Sequence, residues 1–224
     1  DNVAVGLDAG NSISSGVNNT LIGSHAGDAL NTGGSNVAVG FEALTTDVKG
    51  NYSVAVGNYA LNAQTFATAT NVYNTAVGYA AGLNITSGVE NVFLGGRAGD
   101  ATTDADYNTA VGQDALGGNV LGSRSVAIGT NALLVQTPAT ATNMYNVAVG
   151  NDAGKAVTTG NYNVLLGGLT GDGITEGAAN VAIGYHSQGN NDLGSHNVSV
   201  GHAALEAQNP ATAVDMYNTA VGSL

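Results

Sequence analysis

The chain has 224 residues, 9% of them charged, with four Lys or Arg against sixteen Asp or Glu and a formal net charge of −12. So few cations exclude the positive surface that nucleic acid or an anionic membrane requires. The absence of Cys excludes disulfides, thiolate metal ligation and a thiol nucleophile, and no apolar run reaches the length that inserts in a bilayer.

From its first residues the chain repeats one motif. Counted from the Asn or Ser that opens it, copies begin at Asn2, Asn19, Asn36, Ser53, Asn74, Asn91, Asn108, Ser125, Asn146, Asn163, Asn180, Asn197 and Asn218. The spacings run 17, 17, 17 and 21, three times over, so 72-residue units span 2–73, 74–145 and 146–217, with a partial copy at 218–224. No linker or composition shift divides them, and 1–224 reads as a single repeat domain. Because both ends stand in register with the repeat and show no polar cap, the chain is expected to be part of something longer.

Call the opening residue position zero. Position one is Val or Thr, position two is Ala in nine of thirteen copies, position three is aliphatic and position four is always Gly. Large and small side chains therefore alternate with the period of a strand, and the Gly after them marks a turn. Gly recurs at position fourteen in eight of the nine 17-residue copies, with Ala105 the exception, so each copy holds two turns. The fold class that follows is all-β: a parallel β-solenoid of 13 rungs, with rungs about 4.8 Å apart and a rod roughly 60 Å long. Position zero, as at Asn2, Asn36, Asn74 and Asn146, is expected to form a structural ladder, and Gly6, Gly40, Gly78 and Gly150 to be turn residues.

At "NVAVG", "NTAVG" and "SVAIG" the chain resembles the head repeat of YadA-type trimeric autotransporter adhesins, and is similar to the NTAVG-type arrays of phage tail fibres. The resemblance covers every rung. It implies a left-handed β-roll, three chains packed around a common axis, and an extracellular setting on a cell surface or virion. The pair at positions one and three, such as Val37 with Val39 or Val126 with Ile128, is broad enough to fill one coil. The Ala face is then expected to meet a neighbouring subunit, with Ala38, Ala55, Ala110 and Ala127 near the contact.

Each 21-residue rung lengthens the same turn, giving "AQTFATAT", "VQTPATAT" and "AQNPATAV". These bulges are the candidate partner-binding loops, carried by Gln64, Phe66 and Thr68, by Gln136, Pro138 and Thr140, and by Gln208, Pro210 and Thr212. Tyr precedes position zero six times, and Phe41, Tyr79 and Tyr185 follow the Gly; corner covering is favoured over a sugar platform. His25, His186, His196 and His202 lack metal-ligand spacing, the acidic stretches 99–106 and 171–177 match no calcium motif, and no Ser-His-Asp set recurs. No metal, cofactor or catalysis is expected. Sequons stand at Asn18, Asn51, Asn84 and Asn197. The function expected is a structural segment of an extracellular trimeric fibre, giving reach and multivalent attachment to a host-surface glycan or protein. The alternative is a self-assembling, glycan-coated filament without a specific receptor. An ice-binding solenoid ranks lower, because Thr opens only four strands.

Overall fold

The computed structural model describes all residues, 1–224, and contains no helix. It has two compact units, Asp1–Asn108 and Thr109–Leu224. The boundary falls inside the 72-residue repeat 74–145. Each unit is a parallel β-solenoid.

In the first unit the strands Val3–Val5, Thr20–Ile22, Val37–Val39, Val54–Val56, Thr75–Val77 and Val92–Leu94 pair in that order. The second unit repeats this with Thr109–Val111, Val126–Ile128, Val147–Val149, Val164–Leu166, Val181–Ile183, Val198–Val200 and Thr219–Val221. Position pairs with like position throughout: Val3 with Thr20 across a 17-residue rung, Val54 with Thr75 across a 21-residue one. The Val3 N–H donates to the Asn19 carbonyl at 2.9 Å and the Gly23 N–H to the Val5 carbonyl at 2.8 Å, so every short strand is tied at both ends.

The Gly at position four turns the chain off the strand. Its φ lies between 124° and 144° in all thirteen copies, a region in which a Cβ is strained. At Gly6 space forbids one as well, since a Cβ there would stand 2.5 Å from the Gly23 carbonyl oxygen. Successive tight turns follow, with Ala9 N–H to Gly6 C=O, Asn11 to Asp8 and Ile13 to Gly10. Left-handed residues at Asp8 (φ 54) and Gly10 (φ 61) supply the reversals that such turns need at their third residue.

The core corrects one expectation. Position two faces inward: Ala38, Ala55, Ala110 and Ala127 are fully buried inside the coil and are not available to a subunit contact. Positions one and three face outward, and Val77 and Ile128 remain 39% exposed. The reason lies six residues on, at position eight. Leu44, Leu61, Leu116 and Leu133 there are fully buried and fill the space in front of the small Ala. Where position two is large, at Leu21, Phe93 and Leu165, position eight is Gly in that rung and the one before. A Cβ on Gly82 would lie 2.8 Å from Phe93 Cδ2 and one on Gly99 2.4 Å from Phe93 Cε1. The two walls thus share one fixed volume, as close packing demands.

Candidate functional site

The opening Asn builds two bonds at once. In Asn163, Oδ1 accepts the Asn180 N–H at 3.0 Å in the next rung, while Nδ2 donates to the Gly177 carbonyl at 2.9 Å across the coil. Asn19, Asn74, Asn146 and Asn180 do the same, and all are buried. Asn2 and Asn36 use the same donors and acceptors; Asn36 is buried with the others and Asn2 is exposed, so from Asn19 onward these side chains are spent inside the coil.

The expanded turns divide into an anchored stem and a free tip. Gln64 and Gln136, expected among the partner-binding residues, are fully buried and face inward. Gln64 Nε2 donates to Asp47 Oδ2 at 2.6 Å and to Ser53 Oγ at 2.9 Å, and its Oε1 accepts from Asn74 at 3.0 Å. Gln136 Nε2 likewise donates to Asn119 and its Oε1 accepts from Asn146, but there Ser125 Oγ is the donor, to Gln136 Oε1; the half-buried Gln208 donates to Asn191 and accepts from Asn218. Phe66 and Pro138 are also buried, so neither bulges from the coil, and Pro210 is half-buried. A buried amide must find partners, and Gln64 and Gln136 find them inside the coil, in their own and the adjoining rungs, instead of in solvent. Of the expected loop residues only Thr68, Thr140 and Thr212 stand exposed at the tips.

The far side of each stem is held by a two-residue parallel pair: Gly50–Asn51 with Thr70–Asn71, Gly122–Ser123 with Thr142–Asn143, and Gly194–Ser195 with Val214–Asp215. The sequence reading missed the buried polar group behind the loops. Its signal was present at position eleven, where aliphatic residues such as Ile13, Leu30, Ile85 and Ile174 give way to Asp47, Asn119 and Asn191 and then to the Gln of each expanded rung. Burial pushes the Asp47 carboxyl above its ordinary value, against hydrogen bonds from Gln64 and from the Gly50 N–H. The third 72-residue repeat carries this polarity deeper, with Ser187, Gln188 and Ser199 hydrogen-bonded together where the other two repeats have Ala43 and Ala115, Leu44 and Leu116, Ala55 and Ala127.

Outside the coil, aromatic and acidic side chains line the corners. Tyr52 stacks on Tyr73 and Tyr145 on Tyr162, while Phe41, Tyr59 and Tyr79 meet edge to face on successive rungs. The histidines sit beside carboxylates or rings: His25 by Asp8, His186 between Asp172 and Glu206, His196 by Asp215, and His202 stacked on Tyr185. Burial raises the Asp172 carboxyl, whereas hydrogen bonds from Thr86 and Ser87 hold that of Asp104 below its ordinary value. No group of three or more His, Asp or Glu side chains is placed to hold a metal ion. Among the sequons, Asn18 and Asn84 are exposed, Asn51 is half-buried and Asn197 is fully buried in the ladder.

The geometry offers surfaces and tips, with no convergent set of unlike reactive groups. Comparison with family models, with curated proteins and with solved structures finds no match for this chain.

Proposed function

We propose that the chain is a structural segment of an extracellular fibre, of tail-fibre or surface-adhesin type, in which three copies pack side by side through their outward strand faces. One observation carries the reading. In none of the thirteen strands does position one hold anything but Val or Thr, or position three anything but Val, Ile or Leu. On a chain of net charge −12 this leaves an uncharged face of Val, Ile, Leu and Thr, and copies that repel one another elsewhere can approach there. A second copy is the partner of matching chemistry and matching axial period, since its rungs repeat at the same spacing. The number three comes from the likeness of "NTAVG" and "NVAVG" to the YadA-type head.

The exposed tips around Thr68, Thr140 and Thr212 then serve as repeated weak contacts to a glycan or protein on the host surface, where avidity replaces single-site affinity. Sedimentation equilibrium tests the assembly. Wild type should run as a trimer, and Val77→Arg or Ile128→Arg should release monomers that keep their β circular dichroism. A wild type that stays folded and monomeric at every concentration would sink the reading. Attachment is tested separately by trimming the three expanded turns to the 17-residue form; unchanged attachment of a folded fibre rejects the tips as the contact.

A further inference from the structure

Two pairs of tyrosines are placed for a covalent modification. Tyr52 and Tyr73 have ring centroids 5.2 Å apart and planes 7° from parallel; Tyr145 and Tyr162 are 5.4 Å apart and 13° from parallel. All four rings are exposed, and each residue precedes position zero of its rung with a left-handed φ between 52° and 62°. The common backbone conformation sends both side chains of a pair off the same corner in the same direction, one rung apart. The two phenols of a pair therefore lie one above the other with like edges aligned. The facing surfaces cover each other, which takes them away from a sugar ring. A phenoxyl radical carries its spin on the ring carbons beside the oxygen, in the lobes above and below the ring plane, so in a stacked pair the facing surfaces are the ones that can join.

We propose that these pairs are sites of oxidative coupling to dityrosine, an inter-rung staple in a chain that has no Cys with which to make any other. The oxidant is hydrogen peroxide acting through a haem peroxidase. Each phenol gives up one electron and one proton, leaving two tyrosyl radicals, and one peroxide accepts both electrons and both protons to yield two waters. The radicals join through the carbons ortho to oxygen, one carbon–carbon bond forms, and the hydrogen displaced from each of those carbons returns to its phenolic oxygen. The product is two hydrogens lighter than the parent pair. Preplacement on adjacent rungs makes the coupling intramolecular and far more probable than a chance encounter. The Arg124 guanidinium lies 6.0 Å from the Tyr145 ring centroid, and its charge opposes loss of an electron there. The Tyr52 pair therefore couples first.

The test is to oxidise dilute protein with peroxide and peroxidase, folded and in denaturant, and to map the coupled peptides by mass spectrometry. Folded protein should show Tyr52 joined to Tyr73 and Tyr145 joined to Tyr162, the former appearing earlier. The edge-to-face pair Tyr59 and Tyr79, at 6.0 Å and 89°, should couple little. Denatured protein should spread the coupling over the nine tyrosines. Tyr73→Phe keeps the ring and should abolish the first staple while sparing the second. The same spread in both states, coupling only between chains, or oxidised tyrosines without any coupled peptide would each overturn the proposal.

Discussion

Gln64 donates its amide to the Asp47 carboxylate at 2.6 Å, seventeen residues and one rung away, in the interior of the coil. This buried pair stands where the first two rungs of the same repeat place Ile13 and Leu30. It costs solvation, and its bonds repay that only while both partners are present.

Asp47→Asn should stabilise the chain at neutral pH. The Asp47 carboxyl is pushed upward on folding, so the folded state holds its proton longer than the unfolded state does. Stability is therefore lost as pH rises from the ordinary carboxyl value of 3.8 through the raised folded value. Asn removes that loss, and it can also donate to the Gly50 carbonyl as Asn119 does to Gly122 at 2.7 Å. The gain should be about 1 kcal/mol at pH 7 and should fade in acid. Denaturant midpoints of both proteins across pH check the sign.

Gly150→Ala should cost about 1–3 kcal/mol from backbone strain alone. Its φ is 144°, and a Cβ would meet the Gly167 carbonyl oxygen at 2.2 Å. Gly168→Ala is the comparison, because nothing lies closer than 3.7 Å to a Cβ there and its φ is unexceptional. Equal melting temperatures for the two variants would contradict the account of position four.

Phe93→Ala should cost about 3–5 kcal/mol by opening a cavity in the fully buried core. Adding Gly99→Leu should recover part of it, since the pair would then read as Ala110 with Leu116 does in the next rung. Gly99→Leu alone should be worse than either, because Phe93 occupies the space. A double-mutant cycle gives the coupling, and simple additivity would count against a shared volume.

Asn163→Ala should leave the Asn180 N–H and the Gly177 carbonyl without partners in the interior, for a loss of about 2–4 kcal/mol. Hydrogen exchange at Asn180 is the local readout, and its protection should fall before that of distant rungs.

The strands and the position-four glycines were legible because each recurs at a fixed spacing. The direction of the strand was not. Alternation in Val37, Ala38 and Val39 states only that one face is small and the other large. Which of them points inward depends on what else fills the coil, where Leu44 is as fully buried as Ala38, and no pattern within the strand encodes that. The stem of the expanded turn misled for a related reason. Gln64 and Phe66 look like surface loop residues in a polar stretch, yet both are buried, and the partners that let the Gln64 amide be so are Asp47 and Ser53, well upstream in the chain. The exposed Thr68, Thr140 and Thr212 needed no distant partner, and their placement followed from the loop alone.

Val54 pairs with Thr75 across twenty-one residues in the same register that joins Val37 to Val54 across seventeen. The four additional residues enter without altering the ladder on either side. Stacking and display are thus assigned to separate stretches of chain, and the length of one is no constraint on the other. A foreign peptide placed between Ala67 and Thr68 should be shown at the surface while Val54–Val56 and Thr75–Val77 remain paired beneath it. The same position in the other two repeats, beside Thr140 and Thr212, makes the chain a scaffold whose cargo can be changed without re-specifying the scaffold.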